Sequence, residues 1–206
     1  MAISNYEVTK RKMQKHFLDY DQERMIEKFG LVHDDAYLYV RFAGRSYRIS
    51  RQTGLVEWSE DGFLQAVEGN YNEAMSIYDL LCCSSPDCRL SGNYVTCKSL
   101  PGVAIAGSPG NELFSGNAAY FAGKGAQLAK ACEKLGGKPA GKGDVAYELP
   151  AFDCLPVRLV FWDADEEFPA SLYFLWDRNT TRFIHFETTF YVAAELTRRL
   201  EEEMGK

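Results

Sequence analysis

Between Ser4 and about Lys28, apolar and aromatic residues recur at helical spacing among charges: Tyr6, Met13, Phe17, Tyr20 and Met25, then Phe29 ahead of Gly30. This pattern predicts one helix or two short ones, with the glycine as the stop signal. The stretch "AYLYVRFAGRSYRISRQTGLVEW" then alternates β-branched and aromatic residues with polar ones, and Gly44 and Gly54 mark turns. Such alternation predicts a three-stranded antiparallel meander. Ser59, followed by Glu60 and Asp61, has the chemistry of a helix start, because a serine oxygen caps free amides and early carboxylates oppose the positive helix end. A helical pattern is expected to continue from there, interrupted near Gly69. From Asn72 to Cys83 it places Ala74, Ile77, Tyr78 and Leu81 on one buried side.

The middle of the chain, "SSPDCRLSGNYVTCKSLPG", predicts a loop and a short strand around Tyr94 to Lys98. A glycine-rich passage from Gly102 to Gly116 follows, then a helix to about Leu135 that Gly136 and Gly137 stop. Past the surface loop "GKPAGKGD", three segments read as strands: "DVAYELP", "LPVRLVFW" and "SLYFLWD". The last two are apolar at nearly every position, which implies partial cover on both sheet faces. "TRFIHF" offers a further edge strand. From Thr188 the helical period returns, and the terminal "EEEMGK" is expected to fray.

These elements specify an α+β fold, a mostly antiparallel sheet packed against N-terminal, central and C-terminal helices. A single domain over residues 1–206 is expected. Within it lie an N-terminal helix and meander (1–58), a helical and loop region (59–143) and a strand-hairpin-helix module (144–206).

Composition narrows the function by exclusion. The 206 residues are 46% hydrophobic and 25% charged, the balance of a folded chain. A formal charge of −6 argues against nucleic acid as a partner, since phosphate-backbone affinity rests on lysine and arginine. The basic run "KRKMQK" beginning at Lys10 reads as a solvated helix face. No apolar stretch precedes a small-residue cleavage site, and none approaches the roughly 20 residues of a membrane helix. No membrane partner and a cytoplasmic location are therefore expected, with the six cysteines as reduced thiols.

The densest chemistry lies in "FWDADEEFPASLYFLWD". Asp163, Asp165, Glu166 and Glu167 are hard oxygen donors suited to calcium, magnesium or manganese, and Asp165 and Glu167 are the candidate metal ligands. The calcium-loop template fails here. Counted from Asp163, it puts Phe168 where glycine is required and Phe174 where a bidentate glutamate is required. As an acid-base pair, one carboxyl needs partial desolvation, for which Trp162 and Phe168 offer an apolar wall. The competing reading is a wet hairpin turn whose charges discourage edge pairing and whose Phe168-Pro169 step turns the chain.

Cys82, Cys83, Cys88 and Cys97 form a second candidate metal set, but their spacing lacks the C-x-x-C pairs that put two sulfurs on one tight turn. Cys132 and Cys154 read as packing residues. Of His16, His33 and His185, the last is a candidate binding residue because it follows the paired strands and lies near Glu187. The glycines around Gly123 do not form a phosphate loop, since Gly125 stands where serine or threonine would meet magnesium.

"LSGNYVTCKSLPG" and "FWDADEEFPASLYFLWD" with the final helix resemble an uncharacterised prokaryotic family, domain of unknown function 3786. The resemblance covers most of the chain from Leu90 onward and is most specific in the acidic motif. It implies an accessory protein of anaerobic metabolism, linked to corrinoid or iron–sulfur proteins as partners. It also adds weight to Asp165, Glu166 and Glu167 while making a cysteine-held cluster less credible. The expected function is a small-molecule or cofactor-binding accessory protein, with the cofactor unknown. A metal-assisted hydrolase using the Asp163 to Glu167 hairpin and a protein-interaction module are the alternatives.

Overall fold

A computed structural model describes residues 4–103 and 118–205. Two helices open the chain, α1 (Asn5–His16) and α2 (Gln22–Phe29), joined by a 3-10 turn at Phe17–Asp19. Each has a side-chain cap: Ser4 Oγ accepts from the Glu7 amide and Asp21 from the Arg24 amide. Gly30 ends α2 in the left-handed conformation (φ 61°), which glycine adopts without a Cβ penalty.

The meander forms as expected from β1 (Tyr37–Phe42), β2 (Arg45–Ser50) and β3 (Val56–Ser59), and the short β4 (Val67–Glu68) extends it. The helix expected at Ser59 does not form. Ser59 Oγ accepts from the Asp61 and Phe63 amides, closing a turn, and Phe63 sits at φ 69°, where a right-handed helix cannot continue. Helix α3 (Tyr71–Cys83) starts instead at Asn70, whose side chain and that of Glu73 reciprocally bond each other's backbone amides.

After α3 come β5 (Tyr94–Thr96), α4 (Ala118–Phe121), α5 (Gly125–Lys134), β6 (Lys138–Pro139), β7 (Val145–Phe152), β8 (Leu155–Trp162), β9 (Ser171–Asp177) and α6 (Thr188–Gly205). The glycine-rich passage expected between Gly102 and Gly116 lies, from residue 104, outside the described residues. "TRFIHF" is not a strand. Thr180–Arg182 forms a 3-10 turn, and the edge of the sheet beside β9 is already occupied by β5.

Among the described residues nine strands are all paired antiparallel in the order β4-β3-β2-β1-β7-β8-β9-β5, with β6 on β7. One junction in this order shapes the molecule. β1 and β7 overlap at a single pair, Phe42 with Phe152, whose rings stack with centroids 4.6 Å apart. A backbone bond from the Ala43 amide to the Ala151 carbonyl (2.9 Å) adds to that contact. The rest of β1 therefore runs beyond the β7–β8 turn, and its free edge is only partly covered, by a bond from the Tyr39 amide to the Val32 carbonyl (2.8 Å) and the His33–Leu38 bridge.

Leu38, Val40 and Phe42 of β1, Tyr47 and Ile49 of β2, Leu159 of β8 and Trp176 of β9 bury the inner sheet face. Helix α3 packs against α1 and α6, and α5 against α6 and β7. Ala74, Ile77, Tyr78 and Leu81 of α3 are buried as their spacing predicts.

Two charged segments behave differently from expectation. Arg11, Lys12 and Lys15 of the basic run are exposed as expected, but Lys10 is buried, and its Nζ reaches Glu68 (2.8 Å) and the Gly69 carbonyl (3.2 Å). The C-terminal glutamates do not fray: α6 runs to Gly205, with Glu202 paired to Arg45, Arg198 and Arg199, and Glu203 to Arg199 and Lys134.

Candidate functional site

The acidic hairpin connects β8 to β9. Asp165 Oδ1 accepts from the amides of Glu167 (2.8 Å) and Phe168 (2.7 Å), and its own amide donates to the Phe168 carbonyl (3.0 Å). These bonds, that to Phe168 first, hold its carboxyl below the usual carboxylate range. Asp163 accepts from Gly123 (2.9 and 3.1 Å) and Ala164 (2.8 Å), and its amide donates to Asp144 (2.7 Å), so it tacks the turn to two neighbouring loops. Asp165, Glu166 and Glu167 are exposed, as are Trp162 and Phe168, and no apolar wall closes over them. Among the described residues these acids do not meet in a three-donor group.

The end of that same stretch has a clear structural task. Asp177, fully buried at the end of β9, accepts from the amides of Ser91 (3.0 Å), Gly92 (2.8 Å) and Asn179 (2.8 Å) and from the Ser91 hydroxyl (3.1 Å). With the pairing of Tyr94 to Asp177 in β5–β9, it binds "LSGNYVTC" to "SLYFLWD". The two most recognisable stretches of the chain are thus halves of one joint.

The four candidate cysteines separate. Cys97 is buried, its sulfur 3.7 Å from the Thr189 hydroxyl; Cys82 and Cys88 pack against the core edge; Cys83 alone among them is exposed. All six cysteines are free. Burial pushes the Cys82, Cys132 and Cys154 thiols up to about 12.

Cys83 instead meets His185. Asp79 and Cys83 lie four residues apart, on one face of α3, and the segment before α6 brings His185 across to them. Asp79, whose side chain is only 9% exposed, accepts from the His185 amide (2.7 Å) and bonds the ring Nδ1. One donor atom each of Asp79, Cys83 and His185 lies within 4.8 Å of the others, and among the described residues this is the one such group of three. Partial burial, then the Asp79 charge, pushes the Cys83 thiol up to about 11, while a hydrogen bond from Tyr20 acts in the opposite sense. Sequence spacing had marked Cys83 and His185 separately. Asp79 was missed because it lies on a helical stretch whose buried neighbours made it look like any polar position.

A pocket opens at the free edge of β1. Its cavity of about 370 Å³ is bounded by the end of α2 (Phe29 to Val32), by Tyr39 to Arg41, by Phe63 and Leu80, and by the β7–β8 turn (Phe152 to Cys154). The volume falls within the range of small-molecule sites, and the lining is mainly aromatic and aliphatic. Arg41 is exposed there and makes no ion pair among the described residues. The strand stagger that creates this space was not readable from the alternation of β1.

A third cluster, also unforeseen, is buried between sheet and helices. Glu73 accepts from the Tyr47 hydroxyl (2.9 Å), the Asn70 amide (2.6 Å) and Arg198 (3.0 Å), while Arg45 stacks on Trp58 at 3.8 Å and reaches Glu202 (3.0 Å). Burial first, and the Glu195 charge second, push the Glu73 carboxyl above its usual range. This network ties β2 and α3 to α6.

Fold and clusters together define an α+β protein with a staggered antiparallel sheet, a free-edge pocket and a thiol-imidazole-carboxylate group beside α3. The chain belongs to the family described as Domain of unknown function (DUF3786), whose model matches residues 21–199. No curated protein and no solved structure matches it.

Proposed function

We propose that the protein binds a small, largely apolar organic anion in the pocket at the free edge of β1, as a cytoplasmic accessory protein. The observation that carries this reading is the pocket itself. Phe29, Leu31, Tyr39, Phe63 and Phe152 supply an apolar wall, the exposed Arg41, which makes no ion pair among the described residues, supplies a positive charge, and Asp153 is the one carboxylate on the lining. Such a combination favours a ligand with an apolar body and a carboxylate or similar head group. The free thiols accord with a reducing compartment. No described helix is long and apolar enough to cross a membrane. The anaerobic, corrinoid- or iron–sulfur-linked setting implied by the family resemblance belongs to the same proposal.

The probe is 1-anilinonaphthalene-8-sulfonate, an apolar anion whose fluorescence rises in apolar sites. Saturable binding is expected in the native protein. Ser46→Trp fills the pocket from an exposed strand position and abolishes it without lowering Tm. Arg41→Gln removes one charge-assisted contact of about 1.5–3 kcal/mol, a weakening of roughly 10- to 100-fold. Unchanged binding in both variants would refute the assignment.

A further inference from the structure

We propose that Asp79, Cys83 and His185 bind one divalent transition-metal ion of the zinc class, with a coordination position left open to solvent. This site is separate from the pocket and does not depend on the ligand reading. Leu80, which lines the pocket, points from a different face of α3.

Three independent observations converge. The first is donor chemistry: a thiolate, an imidazole and a carboxylate suit zinc, cobalt, nickel or ferrous iron, whereas calcium and magnesium take oxygen. A thiolate and a carboxylate together also neutralise the ion's two positive charges. The second is geometry. Zinc bonds of about 2.0–2.3 Å put neighbouring donors of a tetrahedral site roughly 3.5 Å apart. The three donor atoms already lie within 4.8 Å of one another, so closure needs a movement of about an ångström, on the same bond lengths. Cys83 is the last residue of α3 and the His185 side chain is 64% exposed, so both can turn; Asp79, buried and held by the His185 amide, is the stationary donor.

The third observation is that both mobile groups already address the same carboxylate, since Asp79 is bonded to the His185 ring and within hydrogen-bond reach of Cys83. An ion entering there takes the place of the shared protons. As the sulfur–metal bond forms, the Cys83 S–H bond breaks and its proton leaves to solvent, while the His185 ring loses its Nδ1 proton and takes one up at Nε2, so the neutral imidazole coordinates through Nδ1 and one proton is released in all. The Tyr20 hydroxyl, also within reach of the Cys83 sulfur, acts as a positioning group. Because Cys83 and His185 face solvent, water or another small ligand completes the coordination, the arrangement of an open site rather than a closed structural one.

The test is titration of the full-length, reduced, chelator-stripped protein with Co²⁺, followed by Zn²⁺. One equivalent of Co²⁺ is expected to give an intense near-ultraviolet thiolate-to-cobalt band, with release of about one proton per ion, and one equivalent of Zn²⁺ is expected to remove the band. Cys83→Ser, at an exposed position that leaves the fold intact, loses the band, while Cys82→Ser keeps it. Tyr20→Phe weakens binding by about 10- to 100-fold, the usual effect of losing an outer-shell partner, and His185→Gln weakens it further. Binding without a sulfur band, a Cys83→Ser protein that retains the band, or a Cys82→Ser protein that loses it would overturn the proposal.

Discussion

Replacing Asp177 with asparagine keeps the shape of the side chain and removes its charge at the joint between β9 and the Ser91–Asn93 loop. One carboxylate oxygen accepts from Asn179 and Ser91, the other from Gly92, Ser91 and the Ser91 hydroxyl. An asparagine amide must turn its NH₂ group toward one of these donor sets, so at least one part-buried backbone N–H loses its acceptor and faces another donor. Hydrogen bonds to a charged group contribute about 1.5–3 kcal/mol, and an orphaned buried donor costs about 1–3 kcal/mol. Because the two effects overlap, a loss of roughly 3 kcal/mol is expected. For a chain of this length that is about 6–12 °C in Tm. Urea denaturation followed by circular dichroism gives the stability change, and hydrogen exchange should show faster exchange at the Ser91, Gly92 and Asn179 amides. Asp165→Asn, at the exposed turn, serves as control and should leave Tm essentially unchanged. An Asp177→Asn protein as stable as wild type, with the Ser91 and Gly92 amides still protected, would refute the reasoning.

Other consequences can be checked with the same methods. Gly54→Ala should destabilise more than Gly30→Ala: both sites have positive φ, costing about 1–2 kcal/mol for an added Cβ, but at Gly54 that Cβ would meet the Gln14 carbonyl at 2.2 Å, whereas Gly30 has open space. Equal losses in urea titrations would show that the α1 contact is unimportant. Phe152→Ala removes half of the single β1–β7 overlap and should cost about 3–5 kcal/mol; a loss under about 1 kcal/mol, the range of minor packing changes, would mean that the sheet does not depend on that pair. Because the Glu73 carboxyl is pushed up by burial and by Glu195, the folded state holds its proton more tightly than the unfolded chain does. Its contribution therefore falls as pH rises from about 4.5 through the folded value. Glu73→Gln should flatten that part of the stability–pH curve, and an unchanged slope would contradict the assignment.

The repeating parts of the fold were legible because local geometry imposes their period. Alternation in β1 to β3 and the spacing of Ala74, Ile77, Tyr78 and Leu81 arise from which side chains share a face, so they survive in a one-dimensional string. The failures have a common cause. A serine oxygen that accepts nearby amides serves a turn as well as a helix start, and at Ser59 the positive φ of Phe63 decided for the turn. "TRFIHF" has strand-like composition, yet the edge it would occupy is held by β5. Lys10 looked like any lysine on a charged helix until Glu68, 58 residues later, supplied its partner.

The candidate sites divide in the same way. The sequence by itself determined residue types, local periods and turn chemistry: the hairpin of Asp163 to Glu167, the candidate donors Cys83 and His185, and the stretches that mark the family. Tertiary structure alone decided which of these meet. It spends Asp165 on its own turn and assigns Asp177 to a structural joint, brings His185 across 106 residues to Asp79, and opens a pocket where two strands overlap by one pair. The physical reason is that periodicity is encoded between neighbours, whereas convergence of donors and gaps between strands depend on register and packing between segments far apart in the chain.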